Sequence, residues 1–76
     1  MKREQFIAII SSEQESLRRF LLALCGGDRT EAEDIAQDAM VKAYLASDRF
    51  VERYKFSTWL FKIAYNTFLD HKRLAR

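Results

Sequence analysis

Apolar residues at Phe6, Ile9, Ile10, Leu17, Phe20, Leu21 and Leu24 follow the i, i+3, i+4, i+7 spacing of an amphipathic helix. Met1 to Leu24 is therefore expected to be helical, with one face turned to a core. Ser11 and Ser12 interrupt the stripe, and Ser12 with Glu15 fits a capping box. A break or bend at the serines is expected in place of one straight rod. Gly26-Gly27 then offers the left-handed backbone conformation that ends helices.

A second periodic segment opens at Thr30. Thr30-Glu31-Ala32-Glu33 reads as a capping box, with Glu33 reaching back to the cap, and the acids of this first turn suit the positive end of a helix dipole. Ala32, Ile35, Ala36, Ala39 and Ala43 form one narrow stripe, whose small side chains allow a neighbouring helix to approach closely. The opposite side carries Asp34, Gln37, Asp38 and Val41, with Met40 and Tyr44 on its flank. Residues 47–55 have weak periodicity and mixed charge and read as a loop with room for one helical turn. Ser57 is a fitting N-cap for a last helix, and Phe56 with Phe61 has the spacing of a hydrophobic staple. If helical to about Leu74, this element is about 25 Å long at about 1.5 Å per residue.

The last helix has two sides. Leu60, Ile63, Ala64, Thr67 and Phe68 fall on one side and are expected in the core, with Trp59 extending that core or flanking the outer surface. Thr58, Lys62, Tyr65, Asn66, Leu69 and Arg73 share the other side. Cations there can neutralise phosphates, tyrosine can stack on a splayed base, and asparagine offers a donor and an acceptor to a base edge. A merely solvated basic face is the plain alternative.

Composition sharpens this picture. Seventy-six residues, no proline and two glycines describe one small all-α domain, a three- to four-helix bundle rich in helix formers. Charge is segregated along it. From Asp28 to Asp38 five acids face one base, and from Lys42 to Arg76 eight bases face three acids. Such asymmetry implies two surfaces for two partners, the basic one suited to nucleic acid.

Little suggests covalent chemistry, and no enzyme activity or cofactor is expected. Cys25 is the only cysteine and His71 the only histidine, so no internal disulfide and no Cys/His zinc pattern exists. Cys25 reads as a small core or helix-end residue. His71, beside Asp70, Lys72 and Arg73, reads as a cation complementing a helix C-terminus. The acids of the second helix are explained by its cap and by a solvated or docking face, not by a metal. No apolar run approaches the ~20 residues that span a bilayer. With no signal peptide visible either, a cytoplasmic location is expected.

Two segments together carry a family resemblance. Ala32-Glu33-Asp34-Ile35-Ala36-Gln37-Asp38-Ala39-Met40-Val41-Lys42-Ala43-Tyr44 resembles the "AEDLVQEVFLRAW" helix of bacterial sigma factors. Phe56-Ser57-Thr58-Trp59-Leu60-Phe61-Lys62-Ile63-Ala64-Tyr65-Asn66-Thr67-Phe68-Leu69-Asp70-His71 resembles their "F-x-T-W-L-x-x-I-A-x-N-x-x-x-D-x" helix. Asp48-Arg49-Phe50 between them resembles the family's "DRF". The match is to region 2 of the extracytoplasmic-function (ECF) group of the sigma-70 family, and it covers the chain from about Phe6.

The resemblance implies that residues 1–76 are a region 2 domain with a polymerase-docking helix at about 31–46, a base-capturing loop at about 48–56 and a minus-ten-reading helix at about 57–74. Asp34, Gln37, Asp38, Val41 and Tyr44 match positions that dock on the clamp helices of the largest RNA polymerase subunit, whose docking site is basic. Arg49, Arg53, Tyr54, Lys55 and Phe56 lie in or beside the segment that captures a flipped base of single-stranded promoter DNA. Asn66 matches a minus-ten-reading position, and Thr58, Lys62, Tyr65, Leu69 and Arg73 share its face. Family members are often held inactive by anti-sigma factors covering these surfaces, so such a factor is an implied partner. Full members also carry a second domain for the minus-thirty-five element. A chain ending at Arg76 is therefore expected to be a fragment or a reduced protein, without independent promoter recognition. Two other readings compete: a regulator reading duplex DNA with its last helix, and a purely protein-binding bundle. The loop 47–55 is long for the tight turn of the first, and segregated charge is unnecessary for the second.

Overall fold

The computed structural model describes residues 2–51 and 55–74. Helix α1 (Arg3–Leu24) is followed by α2 (Arg29–Leu45), a single 3-10 turn at Ser47–Arg49, and α3 (Phe56–Leu74). Among the described residues there is no strand, as expected for an all-α domain.

Helix α1 runs unbroken through the two serines where a bend was expected. The Ser11 hydroxyl donates to the Ile7 carbonyl at 2.8 Å and the Ser12 hydroxyl to the Ile9 carbonyl at 2.6 Å. These bonds return each hydroxyl to its own helix, so the serines do not open a new cap. The helix ends at the two glycines. Gly26 and Gly27 have φ of 63° and 91°, and their amides donate to Ala23 and Leu22 carbonyls at 3.2 and 3.0 Å. That pair of bonds is a Schellman closure, which consumes two of the orphan carbonyls of α1.

The turn hands the chain directly to Asp28, and this residue, not Thr30, caps α2. Its carboxylate accepts from the Glu31 amide at 3.1 Å. Asp is at least as good a cap as Thr, and it stands first after the left-handed glycines, so the expected Thr30 capping box does not form. Glu33, freed from the cap, instead accepts from Arg18 Nε and Nη2, both at 3.1 Å, and pins α2 to α1. The start of α3 also moves. Phe56 is already helical and the Trp59 amide donates to the Lys55 carbonyl, so Ser57 lies inside the first turn. The expected Phe56–Phe61 staple does not close either: Phe56 lies against Phe6, Phe50 and Trp59, and Phe61 against Phe20.

Helix α2 is the middle of the bundle, packed against both α1 and α3. Its alanine stripe is buried as expected, with Ile35, Ala36, Ala39 and Ala43 wholly inaccessible to solvent. Methyl-sized side chains let both neighbours come close, and the larger side chains come from those neighbours: Leu17 and Leu21 from α1, Leu60 from α3. Thr67 is buried too, its hydroxyl satisfied by the Ile63 carbonyl at 2.7 Å. Ile63, Phe68 and Trp59 pack at the edge of this core.

Candidate nucleic-acid interface

With Leu60, Ala64 and Thr67 turned inward, the helical period leaves one outer face on α3. Thr58, Lys62, Tyr65, Asn66 and Arg73 are exposed on it, and Leu69 is half-buried at its margin. The sequence-expected residues of this helix thus share one surface. Tyr65 lies near-parallel to Phe68, with centroids 6.3 Å apart and planes at 27°, and stays 45% exposed. A phenol backed on one side and open on the other is preorganised for stacking a further ring. Among the described residues no acid pairs with Lys62. Arg73 donates to Asp70 at 2.9 Å across one helical turn, yet its side chain remains 72% exposed.

The loop before α3 is built on an aromatic footing. Phe50, which closes the 3-10 turn, meets Phe56 and Trp59 at centroid distances of 5.6 and 5.2 Å. Phe56 meets Phe6 of α1 at 5.7 Å, and Phe6 in turn meets Tyr44 of α2 at 5.7 Å. Both feet of the loop therefore stand on one cluster joined to all three helices. Arg49, Val51 and Lys55 are exposed around it. Phe56, expected among the base-capturing residues, is half-buried in this cluster. Arg53 and Tyr54 lie outside the described residues.

On α2, Asp34 and Gln37 are exposed, and Val41 is 56% exposed. Tyr44 is half-buried, with Phe6 at its edge and the Arg3 guanidinium 5.7 Å over its ring. Leu45, which sequence reading passed over, is 68% exposed, four residues beyond Val41 on the same strip. Its signal was available: an apolar residue in register with Asp34, Asp38 and Val41 at a helix end. Together Val41 and Leu45 give the strip an apolar end beyond its polar one.

Much of the acidic charge of α2 is already answered within the domain. Lys72 of α3 reaches Glu31 at 2.7 Å, and the Asp38 carboxylate meets His71 Nε2 at 3.1 Å and Lys42 Nζ at 3.6 Å. His71 thus bridges to α2, a role beyond complementing its own helix end. The Lys72 ammonium holds the Glu31 carboxyl below the usual carboxylate range, and Arg18 does the same for Glu33. Reciprocally, Glu31 holds Lys72 above the usual ammonium range. Burial first, and the Glu31 carboxylate second, push the Cys25 thiol up, which disfavours the reactive thiolate. Among the described residues no group of three or more His, Cys, Asp or Glu side chains could hold a metal ion, and no helix is long and apolar enough to cross a membrane.

The family model for Sigma-70 region 2 matches residues 9–76. The chain is 51% identical over 47 residues to the ECF RNA polymerase sigma factor SigW of Bacillus subtilis (strain 168), covering 62% of this chain and 25% of that protein. It is 48% identical over 44 residues to the RNA polymerase sigma-H factor of Pseudomonas aeruginosa, covering 58% and 23% respectively. It is 39% identical over 62 residues to the ECF RNA polymerase sigma factor SigG of Mycobacterium tuberculosis, covering 78% and 17%. The matched segment thus spans a quarter or less of each relative's length. No solved structure matches the chain significantly.

Proposed function

The chain belongs to the sigma-70 region 2 family, and from that premise we propose that it docks on RNA polymerase through α2 and holds opened promoter DNA through α3 and the loop before it. The single observation that carries this reading is the continuous outer face of α3. There an exposed lysine, an open tyrosine and an exposed asparagine follow a loop whose two feet share one aromatic cluster.

The function is binding and not covalent chemistry. Extruding a base from a duplex costs a few kcal/mol, and a site that holds the base afterwards offsets that cost. Stacking on a ring such as Tyr65 contributes about 1–3 kcal/mol per base. Lys62 and Arg73 add phosphate contacts that are sensitive to salt and indifferent to sequence. Asn66, with a donor and an acceptor, is the residue suited to reading a base edge of the minus-ten element. Arg49, Arg53, Tyr54 and Lys55 serve the capture of a flipped base, and Phe56 serves it by fixing the end of the loop.

The strip Asp34, Gln37, Asp38 and Val41 with Tyr44 at its margin is the docking face for the polymerase clamp helices, and Leu45 extends it. Acids suit a basic partner, and the exposed Val41–Leu45 pair adds apolar area that such contact would bury. Because the two faces belong to different helices, a change on one can be tested against the other. Fluorescence anisotropy should show tighter binding to a single-stranded minus-ten non-template oligonucleotide than to its duplex, and Asp34→Ala should weaken capture of a clamp-helix fragment while sparing the oligonucleotide. Equal or tighter duplex binding would favour a groove-reading regulator instead.

A further inference from the structure

The two faces are joined by an unbroken row of charged side chains. Asp38 of α2 accepts from His71 Nε2 at 3.1 Å, and the same oxygen lies 3.6 Å from Lys42 Nζ. Lys42 Nζ also lies 3.8 Å from one oxygen of Asp70 on α3, and the other oxygen of Asp70 accepts from Arg73 at 2.9 Å. Asp38, Lys42, Asp70, His71 and Arg73 together line one surface groove of about 380 Å³. Asp38 belongs to the docking strip, and Arg73 to the outer face of α3.

We propose that this row is a charge relay through which engagement of Asp38 frees Arg73 for phosphate. The proposal rests on the reading of the two faces given above and adds a coupling between them. Lys42 divides its attraction between two carboxylates, at 3.6 and 3.8 Å. When a cationic group of a docking partner takes Asp38, Lys42 keeps only Asp70. Asp70 then has a closer rival for Arg73, whose guanidinium is the most exposed member of the row at 72%. The released guanidinium presents its donors to the backbone of a strand lying along α3. His71 is the positioning residue: from α3 it holds the Asp38 carboxylate beside Lys42, so that the two helices share one balance.

Every member of the row is partly exposed, so each pair is weak and screened by salt. The coupling is accordingly a modulation of about two- to fivefold in affinity, not a switch. Asp38→Asn mimics the engaged state without any partner, since it removes the charge that holds Lys42. Asp34→Asn makes the same charge change at an exposed residue with no ion pair among the described residues, and serves as the control for general electrostatics.

The test uses the 76-residue chain with two readouts: the Arg73 Nε–H resonance by NMR, and affinity for a fluorescent single-stranded oligonucleotide at low salt. Asp38→Asn is expected to shift the Arg73 resonance and to raise affinity beyond the gain seen in Asp34→Asn. Both effects should vanish in the Lys42→Gln background, where the cation between Asp38 and Asp70 is gone. An Arg73 resonance unmoved by Asp38→Asn would overturn the relay, as would an affinity gain equal to that of Asp34→Asn and undiminished in Lys42→Gln. If the resonance shifts as expected but no variant binds the oligonucleotide, the relay stands and the DNA-binding reading falls.

Discussion

Phe50 and Phe56 stand edge to face, 5.6 Å between centroids and 75° between planes, and so bring together the two ends of the loop that precedes α3. Trp59 completes the footing by meeting both rings, and Phe6 ties it to α1.

Phe50→Ala should therefore act on the loop more than on the bundle. Removing a half-buried ring costs about 1–3 kcal/mol of stability, less than the fully buried case. Urea denaturation measures that loss. At a temperature where both proteins are folded, oligonucleotide affinity should also fall, and Phe50→Leu should restore most of the stability and less of the affinity. Unchanged affinity in Phe50→Ala would show that the footing does not position the loop.

Ala39 and Val41 are two residues apart on α2 and should respond oppositely to a change in size. Ala39 is wholly buried between two helices, so Ala39→Leu is expected to destabilise the bundle by about 1–3 kcal/mol through overpacking. Val41 is exposed, so Val41→Ala should stay within about 0.5 kcal/mol of the parent while weakening capture of the clamp-helix fragment. Denaturation midpoints and a pull-down separate the two effects.

The Glu31–Lys72 pair predicts a stability plateau with two shoulders. Glu31 is depressed by Lys72, so its contribution is complete above the ordinary carboxylate range and is lost as pH falls through the depressed value. Lys72 is raised by Glu31, so its contribution is complete below the ordinary lysine range and is lost as pH rises through the raised value. The raised Cys25 thiol acts in the same alkaline direction. Glu31→Gln should flatten both shoulders when denaturation midpoints are followed from acid to alkaline pH, whereas Glu33→Gln should soften only the acid one.

Under the proposed function, Lys62 and Asn66 should separate affinity from specificity. Lys62→Ala should weaken oligonucleotides of every sequence and reduce the salt slope by about one, as loss of one phosphate contact does. Asn66→Ala should leave that slope unchanged and alter base preference. Both side chains are exposed, so circular dichroism should find both variants folded. A reduced slope in Asn66→Ala would assign it to the backbone and not to a base.

How far the sequence could be read depended on the range of the interaction. The alanine stripe and the split of α3 into inner and outer faces follow from helical period alone, and the structure has both. Caps were harder. Asp28 and Thr30 both carry capping chemistry, and what selected Asp28 was the closure at Gly26 and Gly27 immediately before it. Ser11 and Ser12 misled because a hydroxyl can serve the helix it belongs to as readily as it can start another. Contacts such as Asp38 to His71, 33 residues apart, had no local signature at all; they exist only once two helices are side by side.

The alanines of α2 also decide how this chain folds. A helix whose buried face is four alanines and one isoleucine removes little apolar surface from water by itself, and an isolated α1–α2 hairpin would leave Leu60 and its neighbours unreplaced along one whole flank. Neither half of the bundle is then a stable intermediate, and the helices should form and melt together. Native-state hydrogen exchange in α2 should accordingly report the global unfolding free energy. The helix proposed to meet the polymerase would open only with the whole bundle, and docking would then act on a rigid beam instead of ordering a loose one.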